Sequence, residues 1–138
     1  MLLLLKTVVP KLKLFIPALV WVALIYILLT MPGKDVPSGG IFDIPNFDKL
    51  VHAGLFGMLV LLATFPFFRS KYASAVLFLK ITLLAILYGV AMEFVQKYFT
   101  VDRDFDIWDM VADAFGALVG FAWITMRYKR FLRKRAVV

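Results

Sequence analysis

The chain has 138 residues, enough for one domain, and is 63% hydrophobic with a mean hydropathy of +0.90. A soluble domain of this size cannot hide that much apolar surface, so the composition excludes an ordinary water-soluble fold and points to lipid as the solvent. The absence of cysteine excludes disulfides, thiol chemistry and thiolate metal sites, and the net charge of +7 is carried by residues that flank apolar runs, which points to membrane orientation rather than nucleic acid.

Four apolar runs follow in chain order, at about 14–31, 50–68, 75–99 and 107–126. Each approaches or exceeds the ~20 residues a helix needs to cross ~30 Å of hydrocarbon. The third is the longest and is expected to tilt. Spanning strands would be shorter and would alternate, so the runs predict helices. The first is too long for a signal-peptide core and is read as a retained helix. The expected fold is all-α, an integral membrane four-helix bundle forming a single domain over 1–138.

Charge gives the orientation. Lys6, Lys11 and Lys13 precede the first run, Arg69 and Lys71 separate the second from the third, and six basic residues follow the fourth. Lys80 lies one turn inside the third run, where its head can snorkel. The basic segments hold no acid, and all nine acids lie in or beside the other two connections. The positive-inside rule then predicts cytoplasmic N- and C-termini and two acidic hairpin tips outside. The basic tail 127–138 is expected to lie on anionic headgroups, so the expected partners are membrane lipids and not nucleic acid. The first outer connection, at 32–47, has three prolines and three glycines and reads as irregular. A Phe-Asp-Ile triplet at Phe42 recurs at Phe105, each before an outer helix start.

The acids raise the functional question. Asp48 and His52 are four apart on one face of the second helix. Glu93, Gln96 and Lys97 share a face of the third. Asp106, Asp109 and Asp113 are spaced three and four, and Gly116 and Gly120 continue their stripe beside Ala112, so the acidic face of the fourth helix is also its small-residue packing face. Glu93 lies about 9 Å from the end of its helix and Asp113 about 10 Å beyond Asp106, so His52, Glu93 and Asp113 can meet in one outer-leaflet pocket, with Arg103 above it.

Near helix ends, Asp48, Lys49, Asp102 and Asp104 suit the interface alone, and acids at a helix start also complement its dipole. Glu93, Asp109 and Asp113 lie deeper, where a central charge costs about 2.5–3.5 kcal/mol on insertion scales; such groups are paired or functional. A shared binding pocket therefore competes with structural pairing to Arg103 and Lys97. The candidate catalytic residues are His52, Glu93 and Asp109, with Asp48 able to orient His52. The candidate ligand-binding residues are Asp48, Gln96, Arg103, Asp106 and Asp113. No serine or threonine is suitably placed as a nucleophile, Thr100 being the only candidate near the cluster. No cofactor motif is present and no zinc-protease spacing such as HExxH, although carboxylates with one imidazole can hold a divalent cation.

These residues resemble a family. Asp48-Lys49-Leu50-Val51-His52 is similar to the D-K-x-x-H element of VanZ-like membrane proteins. Tyr88-Gly89 with Glu93 and Gln96 resembles the family's Y-G…E-x-x-Q element. Arg103, Asp106, Asp109, Gly116 and Gly120 resemble its R-x-x-D-x-x-D…G-x-x-x-G element. The likeness covers about 31–121, and Asp113 stands where the family pattern leads one to expect asparagine. The resemblance implies a small multi-pass protein of the bacterial cytoplasmic membrane. Its namesake is associated with low-level resistance to the glycopeptide teicoplanin, which acts outside the membrane on cell-wall precursors. The expected function is binding or modification of a cell-envelope component, such as a lipid-linked precursor or a glycopeptide. Proton or small-ion transport and a non-catalytic assembly role are the alternatives; whether the protein is an enzyme and how many copies assemble stay open.

Overall fold

Backbone amides in hydrocarbon have no water to bond, and the four apolar runs satisfy them as helices. The computed structural model describes residues 12–35, 39–40 and 44–136. Helix α1 is Ile16–Leu29, entered through a 3-10 turn at Leu12–Phe15. Helix α2 is Phe47–Thr64, continued by a 3-10 turn at Phe65–Phe67; α3 is Ala75–Phe99 and α4 is Ile107–Ala136. There is no strand among the described residues. With its entering turn, α1 joins the other three as helices long and apolar enough to cross a membrane. The expected all-α, four-helix membrane architecture is what the chain adopts. Lys6, Lys11, Phe42 and Asp43 lie outside the described residues.

Local chemistry sets the boundaries. Pro66 has no amide N–H to continue α2, and the chain tightens there into a 3-10 turn. Ser74 starts α3 by accepting a hydrogen bond from the Leu77 N–H at 3.1 Å. Asp106 does the same for α4, its Oδ1 accepting from the Trp108 N–H at 2.8 Å. Unlike the expected span, α4 does not stop at 126 but runs through the basic segment to Ala136. Arg133, Lys134 and Arg135 in its last turn complement the negative end of the helix dipole. Tyr128 and Phe131 anchor the extension by packing against Phe68 and Phe78.

These contacts put the α2–α3 connection and the end of α4 together at one end of the bundle, where Phe15 also meets Phe67. At the opposite end the two acidic connections touch: Gly33 N–H donates to the Val101 carbonyl at 3.1 Å. A side chain at Gly33 would strike the Asp102 backbone.

Helices α2 and α4 form the central pair. A Cβ on Gly116 would overlap the Ala53 carbonyl, one on Gly120 would lie 2.7 Å from the Gly57 carbonyl, and one on Gly57 would lie 3.0 Å from that of Gly116. The small residues let the two backbones touch, as in other close-packed membrane helices. Helix α3 closes over this pair, and Phe56, Leu59, Val60, Ala85, Met92 and Ala117 fill the core between them. Helix α1 is peripheral and is tied on by side chains bonding to backbone. Trp21 Nε1 donates to the Leu55 carbonyl at 2.9 Å, Tyr88 Oη to Val22 at 3.0 Å, and Gln96 Nε2 to Leu29 at 2.8 Å. Large apolar residues such as Leu84, Leu87, Phe115 and Val119 are exposed, as lipid-facing side chains must be.

The glycines of α2 separate two effects. Nothing lies within 4 Å of a Cβ built at Gly54. Gly54→Ala should therefore be neutral or stabilising by up to about 1 kcal/mol, whereas Gly116→Ala should cost roughly 1–3 kcal/mol by forcing α4 from α2. Thermal unfolding of the two variants in detergent, run beside the wild type, checks this ordering.

Candidate functional site

The polar residues of α2, α3 and the start of α4 meet near the acidic end of the bundle. On α2, Lys49 and His52 are one turn apart and share a face. On α4, Asp109 and Asp113 are four apart, and the imidazole of His52 lies between them. Its Nδ1 is 2.9 Å from Asp113 Oδ1, and its Nε2 is 3.8 Å from Asp109 Oδ2. The Lys49 ammonium lies 2.8 Å from Asp48 Oδ2, 2.5 Å from Asp106 Oδ2 and 2.9 Å from Asp109 Oδ1. Asp106 therefore does two jobs, capping α4 with one oxygen and pairing with Lys49 through the other. The Lys49 contact holds the Asp106 carboxyl below the usual carboxylate range. That shift keeps the pair intact at neutral pH, and the pair is lost only as pH falls through this lowered value.

From α3, Glu93 accepts a hydrogen bond from the Asp106 N–H through Oε2 at 3.1 Å. Its other oxygen, Oε1, is buried without a protein partner, as is Asp113 Oδ2. Glu93 is 0% exposed, Asp113 1% and His52 3%, so these groups sit behind the apolar surface rather than on it. Gly89 makes the room: a Cβ there would lie 2.7 Å from Asp113 Oδ2.

The structure thus brings together six of the eight residues singled out for the site, namely Asp48, His52, Glu93, Asp106, Asp109 and Asp113. It places the other two, Gln96 and Arg103, elsewhere. Gln96 is buried against α1, where its amide satisfies the Leu29 carbonyl, one of the last-turn carbonyls that a helix leaves without an internal donor. Arg103 is half-buried and makes no ion pair among the described residues. Lys97 lies over the Phe105 ring, 5.6 Å from its centroid, and not on a carboxylate. The Thr100 hydroxyl ends α3, buried and with no hydrogen bond to the imidazole. The charge partner absent from the candidate list is Lys49. The three-residue step to His52 puts Lys49 on the same face of α2, but spacing alone does not show that this face turns toward α4.

This arrangement can hold cations and protons. Five carboxylates face one lysine and one histidine, and the two free buried oxygens leave room for a further positive group.

The residues that build this cluster are those of the three sequence elements, and the VanZ/LLP1 family model matches residues 5–128. The chain belongs to the VanZ/LLP1 family. Four membrane-capable helices and this membership make it a multi-pass membrane protein. No curated protein and no solved structure matches it. In this VanZ-like chain each element has a structural role. The first supplies Lys49 and His52, the second supplies Glu93 with Gly89 as its clearance, and the third supplies the α4 acids and the glycines that press α4 onto α2.

Removing the lysine charge tests the cluster. Lys49→Met leaves Asp48, Asp106 and Asp109 without their cation, and the expected cost is roughly 1–3 kcal/mol for a pair only partly shielded from water. Lys97→Met, which breaks no ion pair among the described residues, should change stability by less than about 0.5 kcal/mol. Unfolding midpoints of the purified variants distinguish the two.

Proposed function

We propose that this VanZ-like protein lies in the bacterial cytoplasmic membrane with both termini in the cytoplasm. In this reading its ion cluster is an outward-facing site for a polar cell-envelope component or antibiotic. The single observation that carries the reading is the pair of buried carboxyl oxygens without protein partners, Glu93 Oε1 and Asp113 Oδ2, beside a saturated Lys49 and His52. A chain that only needed its acids neutralised would not leave these two open, because an unpartnered buried polar atom costs about 1–3 kcal/mol. The acids take a cation or amine, and Arg103, which makes no ion pair among the described residues and lies on the α3–α4 connection, suits an anionic group of the same molecule. A lipid-linked cell-wall precursor and a glycopeptide of the teicoplanin kind both carry such groups at the outer membrane face.

The apolar layer of Phe56, Val60 and Ala117 beyond the cluster supports binding over proton transport, which needs a polar path across the whole bilayer. The buried threonines of that half, Thr64 and Thr82, bond their own helix backbones.

Glu93→Gln and Asp109→Asn keep size and shape while removing charge. In cells producing equal amounts of protein, either variant should abolish any shift in teicoplanin susceptibility that the wild type confers. Teicoplanin or a lipid-linked precursor should raise the unfolding temperature of the wild type and leave that of Glu93→Gln unchanged. Full ligand stabilisation in both variants, or loss of folding in both, would contradict the reading.

A further inference from the structure

The open oxygens specify a ligand more closely. We propose that His52, Glu93 and Asp113 bind a divalent cation of the manganese or zinc type. The inference rests on reading the cluster as a binding site, and it names what the buried half of that site holds.

The three residues come from three different helices, and one donor atom from each lies within 4.8 Å of the other two. A cation with bonds of about 2.1 Å holds its ligands roughly 3–4.2 Å apart. The side chains therefore close on an ion by a shift on the order of half an ångström. All three are at least nine-tenths buried. Glu93 Oε1 is free to ligate because Oε2 is already engaged by the Asp106 N–H, and Asp113 Oδ2 is open, so that an ion on His52 Nδ1 takes the place of the imidazole's bond to Asp113. The Asp106 N–H fixes the Glu93 carboxylate in place, as second-shell partners do at metal sites.

Charge argues the same way. Two buried carboxylates and a neutral imidazole make a donor set of charge −2, which a divalent ion cancels, whereas a monovalent amine leaves a residual charge in a dry site. The imidazole selects among ions: magnesium and calcium prefer all-oxygen sets, while one nitrogen with two carboxylates suits manganese, zinc or ferrous iron.

A second acidic group, Asp48, Asp106 and Asp109, has comparable spacing. It already surrounds the Lys49 ammonium, and all three of its members contact that charge. A metal ion there would have to displace the lysine, so the buried trio is the site.

Manganese tests the proposal directly, because His52 is the single histidine of the chain. The full-length protein, purified in detergent with a tag that lacks histidine and stripped with a chelator, is loaded with manganese chloride. Its stoichiometry and electron spin-echo modulation are then measured. One Mn²⁺ per chain with imidazole-nitrogen modulation is expected. Glu93→Gln and Asp113→Asn should each weaken binding at least tenfold, since loss of even a second-shell partner costs 10–100-fold at such sites. Zinc chloride should displace the manganese. No bound ion, a bound ion without nitrogen modulation, or weakening by Asp48→Asn alone would overturn it. Because no envelope ligand is present, absence of metal alongside intact teicoplanin or precursor binding rejects this inference and leaves the binding function standing. Bound metal with no effect of Glu93→Gln on the envelope ligand does the reverse.

Discussion

A carboxylate in hydrocarbon must be neutralised, and this chain places five of them beside one lysine and one histidine. That constraint organises the half of the bundle that carries the two acidic connections. Lys49 gathers Asp48, Asp106 and Asp109, and His52 takes Asp113 at 2.9 Å, so α2 holds α4 through charge at one end. Glu93 joins α3 to the same group by accepting from the N–H of Asp106, the residue that caps α4. A bundle whose helices have no hydrophobic drive to associate in lipid gains its register from these contacts and from close packing.

The glycines make the ion cluster possible. Gly57, Gly116 and Gly120 bring α2 and α4 into backbone contact, which is the separation at which a histidine on one helix reaches an aspartate on the other. Gly89 then leaves on α3 the space that the Asp113 carboxylate occupies. Small residues and charged residues are therefore two parts of one device: the former set the distance and the latter use it. Helix α1 stands outside this device, fastened by Trp21, Tyr88 and Gln96 to backbone carbonyls and leaving most of its surface to lipid.

Most of the fold was legible in the sequence because a bilayer imposes length and composition on any spanning helix. The meeting of His52, Glu93, Asp109 and Asp113 was legible from helical spacing and depth alone. Spacing does not say which of several nearby cations closes a cluster. Lys49, beside Asp48 at a helix start, reads as an interfacial lysine, and its central position depends on the rotation of α2 against α4. Gln96 shares a face with Glu93 but sits nearly one turn further along α3, where that face meets the end of α1 rather than the acids. The continuation of α4 past 126 was hidden because polarity ends a membrane span without ending a helix, and the aromatic contacts of Tyr128 and Phe131 hold the extra turns.

The central claim is that the imidazole on α2 and the carboxylate on α4 are energetically one unit. A double-mutant cycle on His52→Gln and Asp113→Asn, read from equilibrium unfolding in mixed micelles, measures that directly. The account predicts a coupling of about 1 kcal/mol or more, as expected for groups in direct buried contact. Strictly additive single effects, with coupling indistinguishable from zero, would mean that α2 and α4 do not meet through these side chains.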